Sequence, residues 1–201
     1  FIDRILVTAE AYKIPLNLVF NKMDLYSSSE KNEIEILKKT YESIGYKCLK
    51  ISALDIGSVD KVSKLMNKKV NMIIGHSGVG KSTLINSISP NLSIKTSEIS
   101  NLYKQGQHTT TYSEMFDLNN DIKIIDTPGI KGFGLVDMNS NDIGDYFPEF
   151  LNLKENCKYN NCLHLNEPNC AVLNALKNKR ISDSRYKSYL NLIDESSIYR
   201  K

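Results

Sequence analysis

The sequence predicts an α/β fold, in which helices cover both faces of a mostly parallel sheet, followed by a small α-helical domain. Short apolar segments typical of strands alternate with helix-like segments from residue 2 to residue 88, and this alternation favours parallel strands joined by helices. Residues 157–170 differ, because they are turn-rich and hold three cysteines and a histidine. We therefore divide the chain into an α/β domain, residues 1–145, and a helical domain, residues 146–201.

The individual elements follow from apolar periodicity and from the residues that begin or end each one. Pro15 ends the first helix, because the residue before a proline disfavours the helical region. Ser27 and Glu30 have the spacing of a capping box, and Gly45 ends the helix that they begin. Residues 119–121 predict a hairpin turn. Helices are predicted over residues 2–13, 27–44, 58–67, 82–88, 171–179 and 182–198, and strands over residues 16–20, 46–51, 70–74, 112–118 and 122–125.

The composition is that of an ordinary globular protein, with 41% hydrophobic and 24% charged residues. No apolar run approaches the ~20 residues that a membrane helix needs, and no secretory signal opens the chain. The net charge of +3 is too small to indicate a nucleic-acid partner by itself. The chain starts at Phe1, without a methionine and inside a helix-like segment, so we expect a fragment of a longer protein.

Residues 75–83 read Gly-His-Ser-Gly-Val-Gly-Lys-Ser-Thr and lie between an apolar strand and a helix. This is the G-x-x-x-x-G-K-S pattern of a phosphate-binding loop. Glycines allow positive φ, so successive N–H groups can converge on an anion, and the helix adds its positive end. A turn that only links strand and helix is the alternative. The predicted nucleotide contacts are Gly75, Ser77, Gly78, Val79, Gly80, Lys81, Ser82 and Thr83, with Lys81 on the β- and γ-phosphates and Ser82 on Mg²⁺.

Two more loops follow strands directly and are predicted to lie at the same edge of the sheet. Residues 21–24 read Asn-Lys-Met-Asp, which resembles the guanine-specificity motif of GTPases. The Asp24 carboxylate can accept hydrogen bonds from N1–H and the exocyclic amine of guanine, a donor pair that adenine lacks. The Asn21 amide can reach the other edge of the base, and the Lys22 stem can cover its plane. Ser52-Ala53 suits a loop whose N–H approaches guanine O6. An ordinary polar turn is the alternative for residues 21–24 alone.

The strand over residues 122–125 runs into Asp126-Thr127-Pro128-Gly129, a D-x-x-G pattern. Asp126 is predicted to hold the Mg²⁺ shell, and the Gly129 N–H to bond the γ-phosphate. A cap or a turn is the alternative role for Asp126. One or more of three consecutive threonines, 109–111, are predicted to complete the Mg²⁺ site, and we assign Thr110 to it. Threonine triplets also occur in plain loops.

The cysteine-rich segment has the pattern Cys157-x₄-Cys162-x-His164-x₅-Cys170. Four soft or borderline ligands at short spacing suit tetrahedral Zn²⁺ in a closed structural site, one ion per chain, with no position left open for catalysis. The segment has little core of its own, so the metal would supply folding free energy. Unrelated thiols are the alternative. Cys48 lies apart on a strand and is predicted to be a core thiol.

The two C-terminal helices concentrate positive charge and tyrosines. A solvated helix face is the default interpretation, and a ribosomal RNA contact is the one we favour, because basic clusters mark electrostatic footprints for nucleic acid. The residues in question are Lys177, Lys179, Arg180, Arg185 and Lys187, with Tyr186 and Tyr189 between them.

The order of the motifs is unusual, because residues 21–24 precede the phosphate-binding loop, whereas ordinary GTPases have them after it. A circular permutation keeps the sheet and moves the termini. Together with Gly106–Thr111, Asp126–Gly129 and Cys157–Cys170, this order resembles the circularly permuted, small ribosomal subunit-associated GTPases of the RsgA/YjeQ type. The resemblance covers residues 1 to about 195. It also implies an N-terminal OB-fold that binds RNA, which we expect to be missing here along with the first strand of the GTPase domain.

The resemblance implies a GTPase that binds GTP or GDP with Mg²⁺, contacts the 16S rRNA of the small subunit and assists its late maturation. His108, Lys81 and Thr110 are the implied catalytic residues, although His108 could be a loop histidine bonded only to backbone. Ile130 stands where ordinary small GTPases have a water-orienting glutamine, which implies slow hydrolysis accelerated by the ribosome. We expect a cytoplasmic monomer with no membrane partner, whose thiols stay reduced in the cytosol.

Two other functions stay open on the sequence. A P-loop ATPase or kinase predicts adenine preference and gives residues 21–24 no role. A non-catalytic, RNA-binding zinc module with a vestigial nucleotide site is the second alternative, and the intact Lys81, Ser82 and Asp126 argue against it.

Overall fold

The computed structural model describes residues 1–90, 114–119, 121–126 and 138–198, together with the backbone of every helix and strand named here. The predicted alternation of helices and strands is confirmed in these residues. The elements are α1 Ile2–Ala11, β1 Asn17–Phe20, α2 Ser28–Ser43, β2 Lys47–Lys50, α3 Ile56–Met66, β3 Lys69–Asn71, α4 Lys81–Ile88, β4 Glu114–Asn119, β5 Ile122–Asp126, a 3-10 helix Ile143–Tyr146, α5 Pro148–Lys154, α6 Ala171–Lys177 and α7 Asp183–Ile198.

The chain forms two compact units, each assembled from separate stretches. The sheet unit comprises Leu18–Ile36 and Cys48–Gly132, and the helical unit comprises Phe1–Asn17, Leu37–Lys47 and Phe133–Lys201. The helical unit thus includes the first residues of the chain as well as the last. The domain boundary expected between residues 145 and 146 stays a prediction.

The described strands form two hydrogen-bonded sheets. β1 pairs with β2, and β3, β5 and β4 form a three-stranded sheet in that order. β3 runs parallel to β5 with Asn71 opposite Ile124, and β4 is antiparallel to β5, as the predicted hairpin requires. The apolar core of this unit lies between the strands and two helices, and Ile51, Val62, Leu84 and Ile124 are buried in it. Cys48 is also buried, which confirms it as a core thiol.

Local capping explains where the helices of the sheet unit begin. The predicted box before α2 is present, because the Ser27 N–H donates to Glu30 Oε2 at 2.8 Å and the Glu30 N–H to Ser27 Oγ at 3.4 Å. α3 begins two residues earlier than predicted. Asp55 caps it, with Oδ2 accepting from the Ser58 N–H at 2.8 Å and from its hydroxyl at 2.6 Å. Both caps satisfy N–H groups that a helix start leaves unpaired.

The helical unit has an aromatic core. The rings of Phe147 and Phe150 lie 5.0 Å apart, and Tyr189 meets both edge-on. Two of the cluster cysteines, Cys162 and Cys170, belong to this core. The 3-10 helix and α5 were not predicted from the sequence. Phe147 lies between these two elements, and Phe150 lies in α5. Among the helices that the structure describes, none has the length and apolarity to cross a membrane.

Candidate functional site

The side chain of Asn21 joins three loops of the sheet unit. Its Nδ2 donates to the Val79 carbonyl in the phosphate-binding loop at 2.9 Å, and its Oδ1 accepts from the Ala53 N–H at 3.0 Å. The Ser87 hydroxyl on α4 donates to the Ala53 carbonyl at 2.8 Å. A side-chain amide carries its donor and its acceptor on two separate atoms, so one residue can link the loop after β1 to both the loop after β2 and the loop before α4.

The phosphate-binding loop has the backbone that its glycines allow. Gly78 and Gly80 have φ values of +80° and +94°. A Cβ atom on Gly80 would lie 2.4 Å from Nδ2 of Asn21, so this glycine permits the close approach of two loops as well as the turn. Lys81 Nζ donates to the carbonyls of Gly75 at 2.7 Å and His76 at 2.8 Å, and burial lowers the pKa of this ammonium.

The other residues that the sequence predicts to recognise the base lie on the same loops. Asp24 is exposed and follows Lys22, whose φ is +64°. The Lys22 stem passes close to Gly80, with Cε 3.8 Å from the position of a Cβ there. Ser52 stabilises the turn after β2, because its Oγ accepts a hydrogen bond from the Leu54 N–H at 3.3 Å.

Ser82 and Thr83, from the phosphate-binding motif, occupy the first turn of α4 and are half-buried.

The parallel pairing of β3 with β5 brings their carboxyl ends to one edge of the sheet. The phosphate-binding loop follows β3, and the D-x-x-G segment begins at Asp126, the last residue of β5. Only the backbone of Asp126 is described. The predicted His108, Thr110 and Gly129, and Ile130 with them, lie outside the described residues.

The four predicted metal ligands meet in the helical unit. The ligand atoms of Cys157, Cys162, His164 and Cys170 all lie within 4.8 Å of one another. His164 Nδ1 is 3.3 Å from Cys170 Sγ and 3.7 Å from Cys157 Sγ, and these two sulfurs are 3.9 Å apart. Tetrahedral zinc with bonds of about 2.0 Å to nitrogen and about 2.3 Å to sulfur separates its ligands by roughly 3.5–3.8 Å. The donor set and its spacing therefore fit zinc.

Burial shifts the pKa of three groups in the cluster. It raises the pKa of the Cys162 and Cys170 thiols, because an apolar surrounding disfavours the thiolate. It lowers the pKa of His164, which favours the neutral imidazole that a metal requires. Backbone N–H groups of Ala171 and Leu173 donate to the sulfurs of Cys157 and Cys170, both at 3.4 Å, and such bonds favour thiolates.

The structure corrects the predicted basic surface. Arg185 and Tyr189 are both 1% exposed and cannot contact RNA from the folded chain. The two residues lie one turn apart on the same face of α7, and both are therefore buried. Tyr189 packs in the aromatic core, and Arg185 is bound by carboxylates. The residues of this group that lie on the surface are Lys177, Lys179, Arg180 and Lys187.

Arg185 is the centre of a buried ion cluster that the sequence did not reveal. Its Nε and Nη2 donate to Glu149 at 2.7 and 3.1 Å, and its Nη1 donates to Asp3 Oδ1 at 2.6 Å. The Tyr41 hydroxyl also donates to Asp3 Oδ1, and the guanidinium lies 4.5 Å from the Phe147 ring centroid. The two carboxylates outweigh the cost of burial and raise the pKa of Arg185, whereas burial raises the pKa of Tyr41.

Comparison with known proteins decides the family. A family model described as RsgA GTPase matches residues 1–136. The chain belongs to the RsgA GTPase family. It is 57% identical over 201 residues to the small ribosomal subunit biogenesis GTPase RsgA of Christiangramia forsetii, and 53% identical over 201 residues to that of Flavobacterium psychrophilum. All of this chain aligns with both relatives, but it spans only 64% and 62% of their lengths.

Solved structures confirm the fold class. The crystal structure of YjeQ from Thermotoga maritima is similar with a TM-score of 0.82 and 30% identity over 96% of this chain and 64% of that one. YloQ, described as a circularly permuted GTPase, is similar with a TM-score of 0.80 and 28% identity over 100% of this chain and 63% of that one. The fold is therefore that of a circularly permuted P-loop GTPase, followed by a helical region with a Cys₃His cluster.

Proposed function

We propose that this chain binds GTP with Mg²⁺, hydrolyses it, and acts in the late maturation of the small ribosomal subunit. The observation that carries the proposal is the double hydrogen bond of Asn21, which ties the guanine-recognition loop to the phosphate-binding loop. One nucleotide can then contact both loops. The name shared by the matched relatives, small ribosomal subunit biogenesis GTPase, supports the ribosomal part.

Guanine recognition is assigned to Asp24, Asn21, Lys22 and the loop at Ser52-Ala53. Asp24 is exposed at the end of its loop, so its carboxylate is free to accept from N1–H and the exocyclic amine of the base. The Ala53 N–H donates to Asn21 Oδ1 and is therefore engaged within the protein instead of being available to guanine O6. This bond joins the Ser52-Ala53 loop to the loop after β1. An ATPase or kinase gives no reason for this arrangement.

Phosphate binding is assigned to the N–H groups of residues 75–83 and to Lys81. Positive φ at Gly78 and Gly80 turns successive N–H groups toward one point, at the N-terminal end of α4. The Ser82 hydroxyl, Asp126 and Thr110 are the proposed Mg²⁺ ligands, and Gly129 donates its N–H to the γ-phosphate. The metal, when bound, neutralises charge on the phosphate oxygens.

Hydrolysis is assigned to Lys81, Thr110 and His108, with Ile130 in place of a water-orienting glutamine. An apolar side chain cannot orient water, so we expect slow turnover alone and faster turnover on the ribosome. The variant His108→Ala tests the role of His108 in hydrolysis. The assignment of His108 is wrong if subunit-stimulated turnover is unchanged in this variant.

The Cys₃His cluster is proposed to hold one structural Zn²⁺ per chain. The ligand spacing supports this proposal, and four ligands are the number that a closed tetrahedral zinc site takes. The metal would compensate the charge of the buried thiolates and so stabilise a segment that lies partly in the core.

The exposed basic residues of α6, α7 and the turn between them are proposed to contact 16S rRNA. Lys177 and Arg180 also line a cavity of about 620 Å³, and Cys170 lines the same cavity. Phosphate contacts of this kind weaken steeply as salt is raised. We propose that the chain acts in the cytoplasm and binds the subunit as a monomer.

The experiment that tests the nucleotide assignment exchanges Asp24 for asparagine. An amide in place of the carboxylate cannot accept both guanine protons, and we expect GDP affinity to fall about 10- to 100-fold, since bonds to charged groups contribute about 1.5–3 kcal/mol each. Xanthosine diphosphate, which has a carbonyl in place of the amine, should gain affinity. Asp60→Asn, an exposed carboxylate on α3, is the control. Unchanged GDP affinity in Asp24→Asn would contradict the assignment.

A further inference from the structure

The segment that carries His164 receives three hydrogen bonds from one neighbouring carboxylate. Glu167 Oε1 accepts from the Leu163 N–H at 2.7 Å, and Oε2 accepts from the N–H groups of Leu165 at 2.8 Å and Asn166 at 3.0 Å. Both carboxylate oxygens of Glu167 therefore accept hydrogen bonds from backbone N–H groups. The four metal ligands are complete without it.

His164 needs this support because its backbone is unusual. Its φ is +57°, in the left-handed region that residues with a Cβ rarely adopt. When a residue in the left-handed conformation stands next to one in the right-handed conformation, successive backbone N–H groups point the same way and form a concavity that binds an anion. The carboxylate of Glu167 is that anion. It therefore stabilises the backbone conformation that turns the imidazole toward the cysteines.

The carbonyl groups of the same segment are held from α7. The Tyr186 hydroxyl donates to the His164 carbonyl at 2.7 Å, and the Tyr189 hydroxyl donates to the Leu163 carbonyl. The imidazole itself packs edge-on against the Phe150 ring at 5.8 Å and is 2% exposed. Backbone donors, backbone acceptors and ring are thus each fixed by a different partner.

We propose that Glu167 is a positioning residue for the metal site: its carboxylate holds Leu163–Asn166 so that Nδ1 of His164 completes the ligand set. Tyr186 supports the same segment through the hydrogen bond that its hydroxyl donates to the His164 carbonyl. The inference rests on the proposed zinc site and extends it beyond its four ligands. Ligation through Nδ1 places the imidazole proton on Nε2. When Glu167 loses its charge, three converging N–H groups lose their anion, and His164 is free to leave the left-handed conformation.

The test measures metal binding in the whole chain for Glu167→Gln and Tyr186→Phe. Zinc affinity is obtained by competition with a chromophoric chelator, and Co²⁺ absorption reports the geometry of the ligand set. Removing a partner that orients a ligand costs about 10- to 100-fold in metal affinity, so Glu167→Gln should lose that much and show weaker tetrahedral Co²⁺ bands. Tyr186→Phe removes one hydroxyl and keeps the ring, so it should fold and show a smaller loss.

The matched control is Glu155→Gln, an exposed carboxylate just before Cys157. It should leave zinc affinity and the Co²⁺ spectrum unchanged. Wild-type affinity and spectrum in both Glu167→Gln and Tyr186→Phe would overturn the inference while leaving the zinc site intact. An unmodified chain that takes up no zinc or cobalt would overturn the zinc site and the inference together.

Discussion

At the scale of single residues, Gly80 and Asn21 show why the nucleotide motifs need their residue types. The sequence predicted both residues as nucleotide contacts, and the structure adds that they contact each other. Gly80 has φ +94°, and any Cβ there would meet the Asn21 amide at 2.4 Å. The glycine pattern is recognisable because backbone conformation permits few substitutes.

Gly80→Ala is therefore expected to weaken nucleotide binding and stability together. A left-handed alanine costs roughly 1–2 kcal/mol, and the clash displaces Asn21 in addition. GDP titration and urea unfolding measure the two effects. Gly45→Ala is the control, because Gly45 has φ +103° with no neighbour within 4 Å of a Cβ. It should lose stability but keep GDP affinity, and equal GDP affinity in both variants would contradict the role of Gly80.

Arg185 shows what residue patterns do not reveal. A charged residue in a basic stretch is usually exposed, and its burial depends on carboxylates 182 and 36 positions away in the sequence, Asp3 and Glu149. Such distant partners cannot be read from spacing. The same holds for Glu167, whose bonds depend on the left-handed backbone of His164.

Arg185→Ala should destabilise the helical unit strongly, because it leaves two buried carboxylates without their cation. Breaking a buried ion pair in this way costs about 3–5 kcal/mol. Lys179→Ala removes an exposed pair with Asp183 and should cost less than about 0.5 kcal/mol. Urea unfolding of zinc-loaded protein compares them. A loss in Arg185→Ala no larger than in Lys179→Ala would show that the cluster contributes little.

At the scale of elements, capping signals predicted helix starts better than periodicity alone. The Ser27 and Glu30 box is present before α2. The sequence signal for α3 was missed at Asp55, so that helix was predicted to begin at residue 58. α5 has seven residues, and two turns are too short to show a helical period. Its place is fixed instead by Phe147 and Phe150 in the core.

Asp55→Ala should fray α3, with an effect that depends on pH. Bonds from the Ser58 hydroxyl and N–H lower the pKa of Asp55. The ionised cap therefore stabilises the fold above its unfolded pKa of about 3.9, and this stabilisation is lost as pH falls through the lower folded value. Urea midpoints of Asp55→Ala and unmodified protein should differ at pH 7, and the difference should shrink as the pH falls below the unfolded pKa and through the lowered folded pKa of Asp55. The control is Asp60→Ala, because Asp60 lies on the same helix but does not cap it. An equal pH dependence in Asp60→Ala would contradict this account.

At the scale of the whole molecule, the sequence predicted the permuted order of motifs and the fold class that the solved structures confirm. Three short motifs at strand ends were enough, because parallel strands present their carboxyl ends at one edge. The grouping of residues 1–17 with the C-terminal stretch was not predicted, since it depends on packing between distant segments.

Zinc removal should destabilise the helical unit, because Cys162 and Cys170 are part of its core. A chelator should lower its thermal midpoint, and Cys162→Ser should do so without a chelator. Zinc affinity should also fall as pH falls, because the thiols must lose protons and burial raises the pKa of Cys162 and Cys170. Cys48→Ser, a buried thiol outside the cluster, should keep one zinc per chain. A chelator that leaves the midpoint unchanged would contradict the structural role.

The most direct test of the account is nucleotide turnover with and without small ribosomal subunits, measured for GTP and ATP side by side. Phosphate release is followed for the unmodified chain and for Lys81→Ala, which removes the ammonium from the phosphate-binding loop. We predict slow GTP hydrolysis alone, faster hydrolysis with subunits, and little with ATP or in Lys81→Ala. Equal rates for GTP and ATP without stimulation by subunits would contradict the proposed function.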